Sequence, residues 1–196
     1  MIAIVDYGAG NLVSVKKAFD WLGQESMITP DPAAVAKATK VVLPGVGHFT
    51  STAALDGSGL RRAIADAIDR SVPFLGICVG MQWMFEGSQE SPSVAGLGIL
   101  QGECGRFPDS VKSPHVGWNS LEIDPRSRLF RGMPSSSFVY FTHSFRAPVD
   151  DATVACCEYG GQFSAAVERE HLFGVQFHPE KSGDVGLKLL NNFCAV

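Results

Sequence analysis

The chain has 196 residues, of which 45% are hydrophobic and 18% charged, with a formal net charge of −4 and a pI near 5.7. That length suffices for one domain, expected to span residues 1–196, to bury a full core without disulfide or metal staples. A mildly acidic chain with no basic run argues against nucleic acid as the main ligand, because phosphate backbones need a basic surface.

In chain order, Ile2–Asp6 reads as a buried strand. Asn11 can cap a helix whose Leu12, Val15, Phe19 and Leu22 share one face, and Gly23 stops it. Val41–Leu43 is a second buried strand that runs into Pro44-Gly45-Val46-Gly47. Leu60, Ile64, Ala67 and Ile68 fall at helical spacing across Leu60–Arg70, and Pro73–Ile77 is the next strand. A helix from about Gly80 to Phe85 follows the turn at Cys78. Apolar strands alternating with helices imply a parallel sheet covered on both faces.

The second half has another character. Gly, Pro and Ser punctuate Ser88–Pro114, and closely spaced strands are expected at Ser120–Ile123, Phe138–Phe141, Thr153–Glu158, Phe163–Val167 and Leu172–Phe177. A helix over roughly Gly186–Phe193 closes the chain. There is no internal repeat or linker to mark a domain boundary.

The stretch Gly76-Ile77-Cys78-Val79-Gly80 has the strand–turn–helix pattern of a nucleophile elbow. Glycines at 76 and 80 let strand and helix approach around a strained turn that lifts the side chain clear of the sheet. At a helix N-terminus a thiolate is stabilised, and the Val79 N–H points at any oxyanion that forms. A buried cysteine in a tight junction fits the pentapeptide equally well.

A thiol nucleophile needs a base, and five histidines compete: His48, His115, His143, His171 and His178. In Gln176-Phe177-His178-Pro179-Glu180, a continuing strand puts His178 and Glu180 on one face. A carboxylate there can fix the imidazole tautomer and stabilise its charged form. A surface His and Glu at a strand end is the plainer reading of that segment alone; beside an elbow cysteine, a Cys-His-Glu triad is favoured.

Gly76–Gly80 followed by Met81-Gln82, with Gln176–Glu180 a hundred residues later, resembles the class I (triad-type) glutamine amidotransferases. Five further segments narrow the likeness: Asp6–Asn11, Pro44–Phe49, His115–Asn119, Tyr140–Ser144 and Lys181-Ser182. They are similar to those of the glutaminase subunits of imidazole glycerol phosphate synthases. The resemblance covers essentially the whole chain and implies an α/β, flavodoxin-like layered fold: a central, largely parallel sheet with an additional antiparallel, strand-rich second half.

It also implies L-glutamine as substrate, no metal or organic cofactor, and a heterodimer with a cyclase barrel subunit that receives ammonia for histidine biosynthesis. Cys78 would attack the side-chain amide, His178 would move the protons and Glu180 would orient His178. Backbone N–H groups of Val79 and of the loop at Val46 and Gly47 would form an oxyanion hole. Gln82, Glu90, His143, Ser144 and Phe145 would lie around the glutamine. Phe145 stands where relatives often carry tyrosine, so its contact is expected through the backbone. Asn11, Trp118, Tyr140 and Lys181 would face the partner.

Two glycines in Gly8-Ala9-Gly10-Asn11 superficially suggest a phosphate loop, but Val13 replaces the third glycine of a dinucleotide fingerprint. Five cysteines lack the paired spacings of a zinc site or a secreted disulfide framework. With no apolar run long enough for a signal peptide or membrane span, a reducing cytoplasm is the expected setting. The rival readings are the glutaminase subunit of another synthase, a silent binding protein on this fold, and a thiol hydrolase of extended substrates.

Overall fold

The structure is a computed structural model that describes residues 1–196. Its first half runs β1 (Ile2–Val5), α1 (Leu12–Trp21), β2 (Ser26–Thr29), α2 (Pro32–Lys37), β3 (Lys40–Gly45), α3 (Ala54–Gly57), α4 (Leu60–Asp69), β4 (Phe74–Cys78) and α5 (Val79–Gln82). The second half adds β5 (Gly87–Ser88), β6 (Glu103–Arg106), β7 (His115–Ser120), β8 (Glu122–Ile123), β9 (Phe138–His143) and β10 (Phe145–Arg146). It ends with β11 (Thr153–Glu158), β12 (Gln162–Arg169), β13 (Leu172–Val175) and α6 (Gly183–Cys194).

An eight-stranded sheet carries the order β2-β1-β3-β4-β13-β12-β11-β8. It is parallel from β2 through β13 and antiparallel from β13 to β8. β1, β4 and β13 are buried along their whole length, as expected of strands covered on both faces. α2 packs against α4 and α1 against α6. One cluster of 52 buried hydrophobic residues runs from Ile2 to Phe193. The α/β fold with a largely parallel core is therefore as expected. No helix is long and apolar enough to cross a membrane.

Four local expectations need correction. β2 and α2 carry no strong signal: β2 has only one buried residue, and α2 is six residues begun by Asp31, whose side chain accepts from the Ala33 N–H at 2.9 Å. The strand expected at Ser120–Ile123 is the junction of β7 and β8. The helix expected at about Gly80–Phe85 is a single turn, because the N–H groups of Met84 and Phe85 take carbonyls three residues back.

The fourth correction concerns the segment that carries His178. β13 ends at Val175, and the His178 N–H leaves the sheet to donate to the Tyr140 carbonyl of β9 at 2.9 Å. Pro179, with no N–H for a ladder, then opens a 3₁₀ turn through Lys181. His178 and Glu180 thus meet across a turn rather than along one strand face.

Candidate active site

Cys78 ends β4 at the carboxyl edge of the parallel strands, where open α/β sheets form their crevices. Its backbone sits at φ 53° and ψ −109°, a conformation that costs a non-glycine residue on the order of 1–3 kcal/mol. The glycines of the pentapeptide make that turn possible. A Cβ at Gly76 would lie 2.5 Å from the Gly80 carbonyl oxygen, and one at Gly80 would lie 1.9 Å from the Leu43 oxygen. The Val79 N–H belongs to the first turn of α5, where no helical carbonyl precedes it. α5 is one turn long, so what it offers a ligand at Cys78 is the free Val79 N–H itself rather than the summed field of a long helix.

His178 Nδ1 and Glu180 Oε1 are 2.9 Å apart, and both side chains are 1% exposed. Asn11 Nδ2 donates to the same carboxylate oxygen at 3.4 Å. Ser182 holds the turn: its hydroxyl donates to the His178 carbonyl at 2.7 Å and accepts the Tyr140 N–H at 3.0 Å. The other imidazole nitrogen, Nε2, completes no hydrogen bond, as is common for a catalytic pair without substrate. Burial alone would lower the His178 pKa, but Cys78 and Glu180 outweigh it and hold it up at about 10.

A cavity of about 540 Å³ opens over these groups. Of the residues singled out from sequence, it gathers all but Glu180, which stands behind His178, and Trp118 and Tyr140. Neither the Val46 nor the Gly47 amide donates to a backbone oxygen. Glu90 is the cavity's one carboxylate; its Oε2 accepts the Phe49 N–H at 2.7 Å. The Gln82 amide nitrogen donates to the Phe145 carbonyl at 2.9 Å and to Gln176 Oε1 at 3.0 Å, so its oxygen is the end left for a ligand. The Phe145 carbonyl also takes the Nδ1–H of His143 at 2.9 Å and is saturated.

Trp118 and Tyr140 face each other across the β7–β9 pair, with ring centroids 6.2 Å apart. Strand alternation puts Val116, Trp118, Phe138 and Tyr140 on its outer side. Val116, Trp118 and Phe138 are more than half exposed, and Lys181 Nζ lies 5.8 Å from the Tyr140 ring centroid. Sequence reasoning missed Val116 and Phe138 in this patch; period-two alternation through the two strands would have found them.

The inner side of the same pair carries His115 and His143, with His115 Nδ1 3.1 Å from His143 Nε2. Burial holds His115 down at about 4 and His143 down at about 3. In the unfolded chain both return to near 6.5, so between these values the unfolded state binds more protons. Their stabilisation is present above about 6.5 and is lost as pH falls through the folded values. Melting temperatures measured from neutral pH down to about 4 should fall, and His115→Gln should flatten that dependence.

The profile of the family "Glutamine amidotransferase class-I" matches residues 3–196. The chain belongs to this family. Among its relatives, "Imidazole glycerol phosphate synthase subunit HisH" of Moorella thermoacetica is 47% identical over 195 residues, covering 98% of this chain and 93% of that one. The protein of the same name from Methanocaldococcus jannaschii is 44% identical over 194 residues, covering 98% of both chains. Among solved structures, one titled "Crystal structure of glutamine amidotransferase" aligns with a TM-score of 0.77 at 18% identity, covering 99% of this chain and 100% of its own. PurLQS from Thermotoga maritima aligns at 0.75 with 21% identity, covering 99% of this chain and 97% of that one. At such identities the structural likeness speaks for the class-I amidotransferase fold alone.

Proposed function

We propose that this chain is the glutaminase subunit of an imidazole glycerol phosphate synthase. As one catalytic domain, residues 1–196, it hydrolyses L-glutamine to glutamate and ammonia and passes the ammonia to a cyclase barrel subunit in histidine biosynthesis. The observation that carries the reading is the elbow cysteine beside a buried His178–Glu180 pair. The two relatives' shared name supports this synthase over other glutaminase-bearing ones, and over a silent binding protein or an extended-substrate hydrolase.

The reaction follows from the groups present. The Cys78 sulfur attacks the side-chain amide carbon, and the oxyanion is received by the amides of Val79 and the Val46–Gly47 loop. His178, held protonated by its neighbours, gives its proton to the nitrogen; the C–N bond breaks and ammonia leaves a glutamyl thioester. His178 then takes a proton from water, whose oxygen attacks the thioester. The C–S bond breaks, glutamate departs and the Cys78 sulfur is restored. Glu180 keeps the imidazole oriented throughout. Glu90, the cavity's carboxylate, suits the α-ammonium of glutamine, with Gln82 Oε1 and the main chain at His143, Ser144 and Phe145 beside it.

The outer face of β7 and β9, with Trp118, Tyr140 and the nearby Lys181 and Asn11, is the proposed partner surface of the heterodimer. An exposed apolar and aromatic patch, joined to the cavity through Lys181, which lines the cavity and lies against Tyr140, suits a docking barrel that must receive ammonia before solvent does. The cytoplasm is the proposed setting, since five free cysteines fit a reducing compartment.

The test pairs the chain with a cyclase subunit and supplies glutamine labelled on its amide nitrogen. Label in the cyclised product, with hydrolysis faster in the pair than in the chain alone, is the expected result. Label lost entirely to bulk ammonia contradicts the proposal. Lys181→Ala should raise the ratio of glutamine consumed to product formed severalfold; an unchanged ratio removes Lys181 from the interface.

A further inference from the structure

Gln176 is wholly buried two residues before His178, and nothing in its sequence position alone assigns it a task. Its Nε2 lies 3.6 Å from Cys78 Sγ, in donor geometry. A carboxamide turned end over end would instead press its oxygen against the sulfur, so what matters is whether its direction is fixed. Phe145 offers Gln82 only a carbonyl, so Gln82 must present its NH₂ there, and the second N–H of that group points at Gln176. Gln176 must answer with its oxygen, which leaves its own NH₂ for Cys78.

The ordering extends outward to β7. The Phe145 carbonyl fixes His143 as an Nδ1–H donor, so its Nε2 accepts from His115 Nδ1–H. His115 Nε2 then accepts Asn119 Nδ2–H at 3.4 Å. Both imidazoles are held neutral by burial, as this direction of donation requires. Each donor is therefore committed from β7 to the sulfur.

We propose that Gln176 is a positioning residue for Cys78: its N–H holds the sulfur in place beside His178 and favours the sulfur's anionic form, while Gln82 fixes which end of Gln176 meets it. The inference rests on Cys78 being the nucleophile. An N–H donor loses no proton when the thiol ionises, and hydrogen bonds to charged groups are roughly twice as strong as neutral ones. The titratable groups around Cys78 are His178, from the turn after β13, Tyr7, beyond the end of β1, and, in the same cavity, Glu90, His143 and Lys181. None is altered in the test.

Acivicin, a glutamine analogue that alkylates nucleophilic thiols, is reacted with the full chain, with and without a cyclase subunit, across a pH series. The adduct is mapped by mass spectrometry. Gln176→Leu and Gln176→Met should both react about tenfold or more slowly at neutral pH. Their rate profiles should move about one unit or more toward alkaline pH, with the adduct still on Cys78. In the position of its pH profile, Gln82→Leu, which frees Gln176 to turn over, should fall between wild type and Gln176→Leu.

A folded Gln176→Leu that matches the wild-type rate and profile overturns the inference alone. Should that variant not fold, Gln176→Met carries the same comparison, since it keeps the unbranched length, adds no charge and has no N–H to give. No Cys78 adduct in the unaltered chain overturns the nucleophile reading, and this inference with it.

Discussion

Cys78→Ser should lower kcat/KM for glutamine by about three orders of magnitude or more, with the fold intact. The change exchanges one atom at a position whose backbone is set by Gly76, Gly80 and the packing of β3 against α5, not by the sulfur. What it removes is the nucleophile. A serine hydroxyl is a far weaker acid than a thiol and stays un-ionised beside His178, whose pKa also loses the support that Cys78 gives it. Ammonia supplied directly should still support the cyclase in the assembled pair, because the elbow lies inside this chain. The check is paired assays with glutamine and with ammonium salt: loss of the second activity as well would make Cys78 a folding or docking residue.

Gly80→Ala should be among the most damaging single methyls in the chain, costing about 4 kcal/mol or more of stability. The added Cβ would sit 1.9 Å from the Leu43 carbonyl oxygen, a main-chain atom within the central sheet that cannot swing aside. Relief requires β3 to part from α5. Yet β3 runs directly into Gly45, which pairs with Cys78, and then into the Val46–Gly47 loop. Activity should fall with stability even in whatever fraction stays folded. Gly57→Ala is the matched control, since Gly57 is helical and its Cβ would meet no atom within 4 Å. A urea midpoint for Gly80→Ala like that of Gly57→Ala would contradict this account of the elbow.

The elements that could be read directly were those whose physics is local. β1, β3 and β4 are continuous apolar runs because both their faces are covered, and α4 announces itself by the spacing of Leu60, Ile64, Ala67 and Ile68. β2 was silent because an edge strand with a single buried residue needs no apolar pattern. Cys78 and the His178–Glu180 pair were legible as residue types at a turn and beyond a strand, but the route by which they meet was not. Alternation along a continuing strand gave the right neighbours for the wrong reason: the His178 N–H transfers to Tyr140, and Pro179 bends the chain.

What stayed out of sight is tertiary. That Gln176 meets Cys78, that Gln82 turns its nitrogen away from the cavity, and that His115 and His143 share a proton direction all depend on β7, β9 and α5 being brought together. No spacing within one segment encodes that. The same holds for Glu90, whose tie to the Phe49 amide joins two loops 41 residues apart.

The most direct test of the central claim is to treat the chain with acivicin and locate the adduct among its five cysteines. The account predicts modification of Cys78, faster when a cyclase subunit is present and abolished in His178→Ala. An adduct on Cys104, Cys156, Cys157 or Cys194 instead, or none on folded protein in either condition, would mean that the elbow holds a packed cysteine and not a nucleophile.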